Sequence, residues 1–261
     1  MTRLLAPLRH APVSALSVFG ALLAWELVVL LFKVPTWLLP APSAVWAAFI
    51  KNHGVIAKHF VATSVGAGGG LAIGALLGVA LAVLMVHSRW LERALMPLLI
   101  VEQSIPKIAL APLIVIWFGA GMASRVFISM VISFFPLIVN TARGLTTIDS
   151  RINNLMHTLS ASRWQVLLKL RIPNAVPYIF AGLKSAVPLA IIGAVVAEFV
   201  QADSGLGYLV MISVTDINTP MVFVAVMLMA ALSLGIFGLV ALAERLLLAR
   251  RFAYLVPAEG G

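Results

Sequence analysis

TLSASRWQVLLKLRIPNAVP, from Thr158 to Pro177, carries the cations Arg163, Lys169 and Arg171 and ends between Pro173 and Pro177. It lies between two apolar runs, about 124–143 and 175–197. Each is long enough to cross a bilayer, since a membrane helix needs about 20 mostly apolar residues. Upstream, Asp149 or Ser150 can cap a helix, and Leu155, Met156 and Leu159 fall on one helical face. Ser160-Ala161-Ser162 reads as a turn. Trp164, Leu167 and Leu168 begin a second apolar patch, and Pro173, without a backbone donor, breaks or starts a helix. The segment is thus a short helix with an apolar face, followed by a second helix that leads back to the membrane. Pattern alone leaves two readings open, a helix lying on lipid or a docking knob for a cytoplasmic partner.

Composition agrees with that setting. Of 261 residues 62% are hydrophobic and 10% charged, and the mean hydropathy is +1.09, well above that of a soluble domain. The net charge of +9 gathers at the ends of apolar runs, unlike the basic-aromatic weave of a nucleic-acid groove. Cysteine is absent, which excludes disulfides, thiol chemistry and thiolate metal sites. Six runs qualify as spans: about 13–32, 62–86, 95–118, 124–143, 175–197 and 220–243. The first follows Arg3 and Arg9, yet it is long, contains Trp25 and Glu26, and reads as a retained span rather than a cleaved signal. With the N-terminus inside, twelve of the eighteen Lys and Arg fall on the inner side. Lys33, Lys51, Lys58 and Arg125 fall outside, and Lys107 and Lys184 lie within spans. The bias places both termini, and the 158–177 stretch, in the cytoplasm.

Further stretches complete the pattern. The cytoplasmic loop holds Asn154-Leu155-Met156, then Ser160 after three residues, then Leu170-Arg171-Ile172-Pro173 after nine more. Beyond it lie LPAPSAVW (39–46), IALAPLIVIWFG (108–119), FFPLIVNTARGL (134–145), VVAEF (195–199) and SGLGYL (204–209). In these features the chain resembles the membrane permease subunit of bacterial ABC importers, in the nitrate/sulfonate/taurine branch of the binding-protein-dependent systems. The family's loop reads E-A-A, three residues, G, nine residues, I-x-L-P. Here the spacing is kept while the Glu, both Ala and the Gly are replaced.

The resemblance implies a single all-α transmembrane domain over 1–261, with six spans in the type I importer (MetI-like) fold. A coupling helix between spans four and five, in a loop of about 149–173, would sit in a cleft of an ATP-hydrolysing subunit. Asn154, Leu155, Met156, Leu159, Ser160, Ala161, Trp164 and Pro173 are the coupling residues it implies. It also implies a permease dimer, as a homodimer, two ATPase subunits, and an external binding protein that delivers the solute at the bacterial inner membrane. The branch includes importers of nitrate, sulfonates, taurine, pyrimidine vitamin precursors, riboflavin and aromatic acids, so the solute stays open.

No G-x-x-x-x-G-K-[ST] is present, so ATP and its Mg are expected on the partner and no enzyme activity on this chain. No His, Asp and Glu cluster has metal-ligand spacing; His87 and His157 read as edge residues, and His10, His53 and His59 show no partner. The glycines of VGAGGGLAIGALLG (65–78) read as close helix contacts.

Ionisable groups inside spans usually face a cavity or a partner. Glu102, Gln103 and Lys107 lie in the first half of span three, where Pro106 and Pro112 suggest a broken or kinked helix beside a pathway. With Asn140 and Glu198 they form the candidate translocation residues. A Glu102–Lys107 structural pair is the alternative for the first group. Asn140 and Lys184 read as interhelical contacts, Glu198 as a gate or fold element, and Glu26 as structural. The rival function is an ion-coupled secondary transporter, which needs coupling carboxylates and often an inverted repeat. Uptake that depends on ATP and a co-purified ATPase separates the two.

Overall fold

The computed structural model describes residues 6–201 and 203–252, and among these the chain is helical with short connections. In order run α1 (Ala6–Leu31), α2 (Pro42–Lys51), α3 (His53–His87), α4 (Arg89–Ser104), α5 (Lys107–Phe118) and α6 (Met122–Thr146). Then come α7 (Ser150–Thr158), α8 (Arg163–Val166), a π turn (Leu167–Arg171), α9 (Ile172–Gln201), α10 (Leu206–Thr215) and α11 (Thr219–Phe252). Four helical runs among the described residues are long and apolar enough to cross a membrane: His53–His87, Met122–Thr146, Arg163–Val200 and Thr219–Leu248. The expected first span falls in α1, whose described apolar part is Leu16–Leu31.

The expected third span, about 95–118, is two helices. Ile105 and Pro106 are extended (ψ 127° and 86°), because proline bars the residue before it from the helical region. Two shorter helices, α2 and α10, escaped the span reading because neither is long enough to cross. Pro42 opens α2 at a position where its missing N–H costs nothing. Glu26 of α1 covers that helix end, accepting the Ser43 N–H at 3.0 Å and the Ser43 hydroxyl at 2.7 Å. Its expected structural role is thereby specified.

At the centre, α6 packs along α3 on one side and α9 on the other. Gly66, Gly70, Gly74 and Gly78 recur every fourth residue of α3 and face Arg125, Ser129, Ser133 and Leu137 of α6. A Cβ at Gly78 would stand 2.9 Å from Leu137 Cβ, closer than two carbons approach. These small residues therefore act as the close contacts expected of them, letting two backbones meet where lipid gives no hydrophobic drive. One apolar cluster, with Met85, Leu99, Leu145 and Leu167, fills the end of the bundle next to α8. Another, with Val45, Ile56, Leu206 and Met221, fills the opposite end beneath α10.

Candidate functional site

At the first end, α7 is built to stand as a separate short helix. Asp149 caps its start, accepting the Arg151 N–H at 2.8 Å. Its end is a Schellman turn: Ser160 adopts φ +54° and the Ala161 N–H reaches the Met156 carbonyl at 3.0 Å. Ser160 thus takes the left-handed position for which the family's loop uses glycine. Ser162 and Gln165 then form a capping box that restarts the helix as α8. Leu155 and Leu159 are 57% and 67% exposed, Met156 is half-buried and Asn154 is exposed. Trp164 is exposed but stacks on His87 at 5.0 Å between ring centres. Of the second apolar patch, Leu167 is buried and Leu168 exposed.

Pro173 stands second in α9, and Asn174 donates to the Gly144 and Thr147 carbonyls at 2.8 Å each, tying α9 to the end of α6. The π turn lies between α8 and α9, so the helix passes into the bundle without a break.

Halfway along the bundle a cavity of about 350 Å³ opens between the α4–α5 break, α6 and α9. Lys107, the first residue of α5, lines it with Ile108, Ile132, Phe135, Leu189 and Ile192. The side chains of Glu102 and Gln103, in α4, lie outside the described residues. Asn140 does not bridge helices as expected. Its amide donates to Pro136 of its own helix at 2.8 Å, because the irregular backbone around that proline offers a nearby carbonyl. Lys184 does bridge, pairing with Glu244 of α11.

Glu198 lies apart from this cavity, at the end beneath α10, and is 1% exposed. It accepts the Gly207 N–H at 2.8 Å and the Thr63 hydroxyl at 2.8 Å. Thr63 accepts the Leu206 N–H at 2.7 Å, and His59 Nδ1 accepts the Gly205 N–H at 3.0 Å. Three successive N–H groups at the start of α10, which no helical carbonyl can serve, are thus met by side chains of α3 and α9.

Arg125, 3% exposed, adds α6. Its Nη2 donates to the Ser204 carbonyl at 2.8 Å and to Asp203 at 3.3 Å, and its Nε lies 3.9 Å from Glu198. The Ser204 hydroxyl, donating to Asp203 at 2.9 Å, holds that exposed carboxyl below its usual range.

Two sequence expectations are corrected here. Arg125 is not an outward-facing cation but a buried one, and His59 has a partner. Both changes follow from the short α10 folding back onto the bundle. Nothing in this arrangement activates a nucleophile; it is a polar clasp that fixes α10 to three long helices.

Comparison with known proteins agrees with this architecture. Residues 70–254 match the family described as "Binding-protein-dependent transport system inner membrane component". The chain is 37% identical over 228 residues to the riboflavin transport system permease protein RibX of Chloroflexus aurantiacus, covering 87% of this chain and 85% of the relative. It is 36% identical to the formylaminopyrimidine transport permease protein ThiX of Halalkalibacterium halodurans, over 84% of this chain and 86% of that one. To the putative aliphatic sulfonates transport permease protein SsuC of Escherichia coli it is 31% identical, over 82% of each. The fold is like that in a crystal structure of an amino acid ABC transporter with histidines: TM-score 0.60 at 19% identity, over 76% of this chain and 97% of the other. The chain therefore belongs to the binding-protein-dependent inner membrane component family and is a membrane permease subunit of an ABC importer.

Proposed function

We propose that this permease has six spans, α1, α3, the broken pair α4–α5, α6, α9 and α11, with both termini in the cytoplasm of a bacterium. It works as a homodimer with two ATPase subunits inside and a solute-binding protein outside. ATP and Mg are bound by the ATPase subunits. Their closure draws the two copies of α7 together and turns the central pathway outward; hydrolysis returns it inward. Lys107, with Glu102 and Gln103 just before the helix break, borders that pathway. Glu198 acts as a fold element at the outer end.

The observation that carries the coupling role is the bare apolar face of α7. Leu155 and Leu159 are more than half exposed on a helix bounded by its own caps and joined firmly to the bundle through Leu167 and Asn174. Such a face suits a partner's groove. Burying a Leu there is worth about 1.5–3 kcal/mol, and a carboxylate forced into the same place costs more. Leu159→Asp is therefore expected to leave insertion and dimerisation intact but to lose the co-purifying ATPase and ATP-driven uptake in vesicles. Arg151→Asp, off that face, serves as the control. An ATPase that stays with the Leu159→Asp chain and drives normal uptake would leave α7 a merely interfacial helix.

A further inference from the structure

We propose that the cavity at the helix break is the solute site, and that it takes a flat nitrogen heterocycle whose edge carries both N–H donors and carbonyl acceptors. This rests on the permease reading above and adds the solute's chemistry to it.

The argument starts from two prolines. Pro112 in α5 and Pro136 in α6 lie inside helices. A proline has no N–H to give to the carbonyl four residues before it. The carbonyls left without that donor belong to Ile108 and Ile132. Both residues line the cavity. In a bilayer, freed backbone groups are tolerated where they are buried in protein or line a cavity. So a pocket whose side chains are almost all apolar gains two backbone acceptors from two different helices. Lys107, on its wall, adds an ammonium donor.

That combination selects among solutes. A sulfonate, nitrate or bicarbonate ion presents mainly acceptor oxygens; it can meet Lys107, but its charge would face two carbonyl dipoles. A ring with alternating C=O and N–H groups satisfies both kinds of partner at once. Leaving any of them unpaired in a desolvated site is costly, which is the source of discrimination. The rest of the wall suits such a ring. Phe135 can cover one face, and Leu189 and Ile192 of α9 supply flat aliphatic contact. The volume, about 350 Å³, falls in the range of small-molecule sites.

The test uses the permease with its ATPase subunits in lipid nanodiscs, without binding protein. The probes are riboflavin, read by quenching of its fluorescence, 3-methylriboflavin, whose ring N–H is blocked, and ethanesulfonate as competitor. Riboflavin is expected to bind, and the methylated analogue to bind roughly fivefold more weakly, the equivalent of one neutral hydrogen bond. Pro136→Ala returns a donor to the Ile132 carbonyl and favours the helix, so folding is safe. It is expected to weaken riboflavin by a similar factor, and methylation should then cost little more. Pro112→Ala tests Ile108 in the same way.

Equal binding of the two flavins in the native chain and both variants would overturn the proposal, as would competition by ethanesulfonate. A complex that hydrolyses ATP with its co-purified subunit but binds no flavin would refute the solute class and leave the permease reading standing. Failure of the ATPase to co-purify would instead remove the reading beneath it.

Discussion

Glu198→Ala should cost this protein about 3 kcal/mol. The carboxylate accepts the Gly207 N–H at 2.8 Å and the Thr63 hydroxyl at 2.8 and 3.1 Å, and Arg125 Nε lies 3.9 Å away. Thr63 loses least, since its hydroxyl can turn to the His59 carbonyl at 3.3 Å. Gly207 loses its side-chain acceptor while buried, which costs about 1–3 kcal/mol. Arg125 loses its one buried carboxylate neighbour among the described residues. Removing one member of a buried pair costs about 3–5 kcal/mol, but Arg125 keeps the Ser204 and Asp203 oxygens, so the lower part of that range applies.

Glu198→Gln retains an acceptor and should lose about half as much. Asp203→Ala removes a carboxylate that is 89% exposed and should lose less than about 1 kcal/mol. The assay is SDS titration of the detergent-solubilised chain, followed by tryptophan fluorescence, with hydrogen exchange over 204–215 as the local readout. If Glu198→Ala and Asp203→Ala unfold alike, within about 0.5 kcal/mol of the native chain, the clasp does not hold α10 and the reasoning fails.

Ser160→Gly should stabilise the isolated chain by about 0.5–1 kcal/mol, because Ser160 is held at φ +54°; a thermal shift in the opposite direction would contradict the turn assigned to it. Cysteines placed singly at 102 and 107 should react with a water-soluble thiol reagent in at least one nucleotide state, since a charge facing lipid at mid-membrane costs about 3 kcal/mol or more. Reaction only with lipid-soluble reagents in every state would remove both residues from the pathway.

Much of the bundle was legible because lipid imposes a simple rule on long helices. The runs at 62–86, 124–143 and 220–243 lie inside α3, α6 and α11, and Pro106 marked the break between α4 and α5. The caps of α7 were legible too, since Asp149 and Ser160 act through neighbours a few residues away. The clasp was not. Its hydrogen bonds join residues 135 to 146 positions apart, and no periodicity records such a meeting. A signal did exist: His59 and Thr63 stand one turn apart on a single face of α3, and two polar residues so placed in an apolar helix imply a common partner. VVAEF and SGLGYL were each noticed, but only the fold-back of α10 shows that they bind each other. For Pro112 and Pro136 the sequence revealed the missing donors, while the cavity that collects the freed carbonyls required three helices in place.

The π turn at Leu167–Arg171 means that α8 and α9 share one axis but not one phase. A wider turn accommodates one more residue than an α-helical turn does. Each α-helical residue advances the chain by about 1.5 Å and turns it by about 100°. Removing that slack would draw α8 toward the bundle by about one such rise and swing it by about a quarter of a circle. Trp164 would then leave His87, and the exposed face of α7 would point elsewhere. The joint can therefore act as a gear: a short slide of α9 along its axis becomes a large change in the bearing of the handle attached to it.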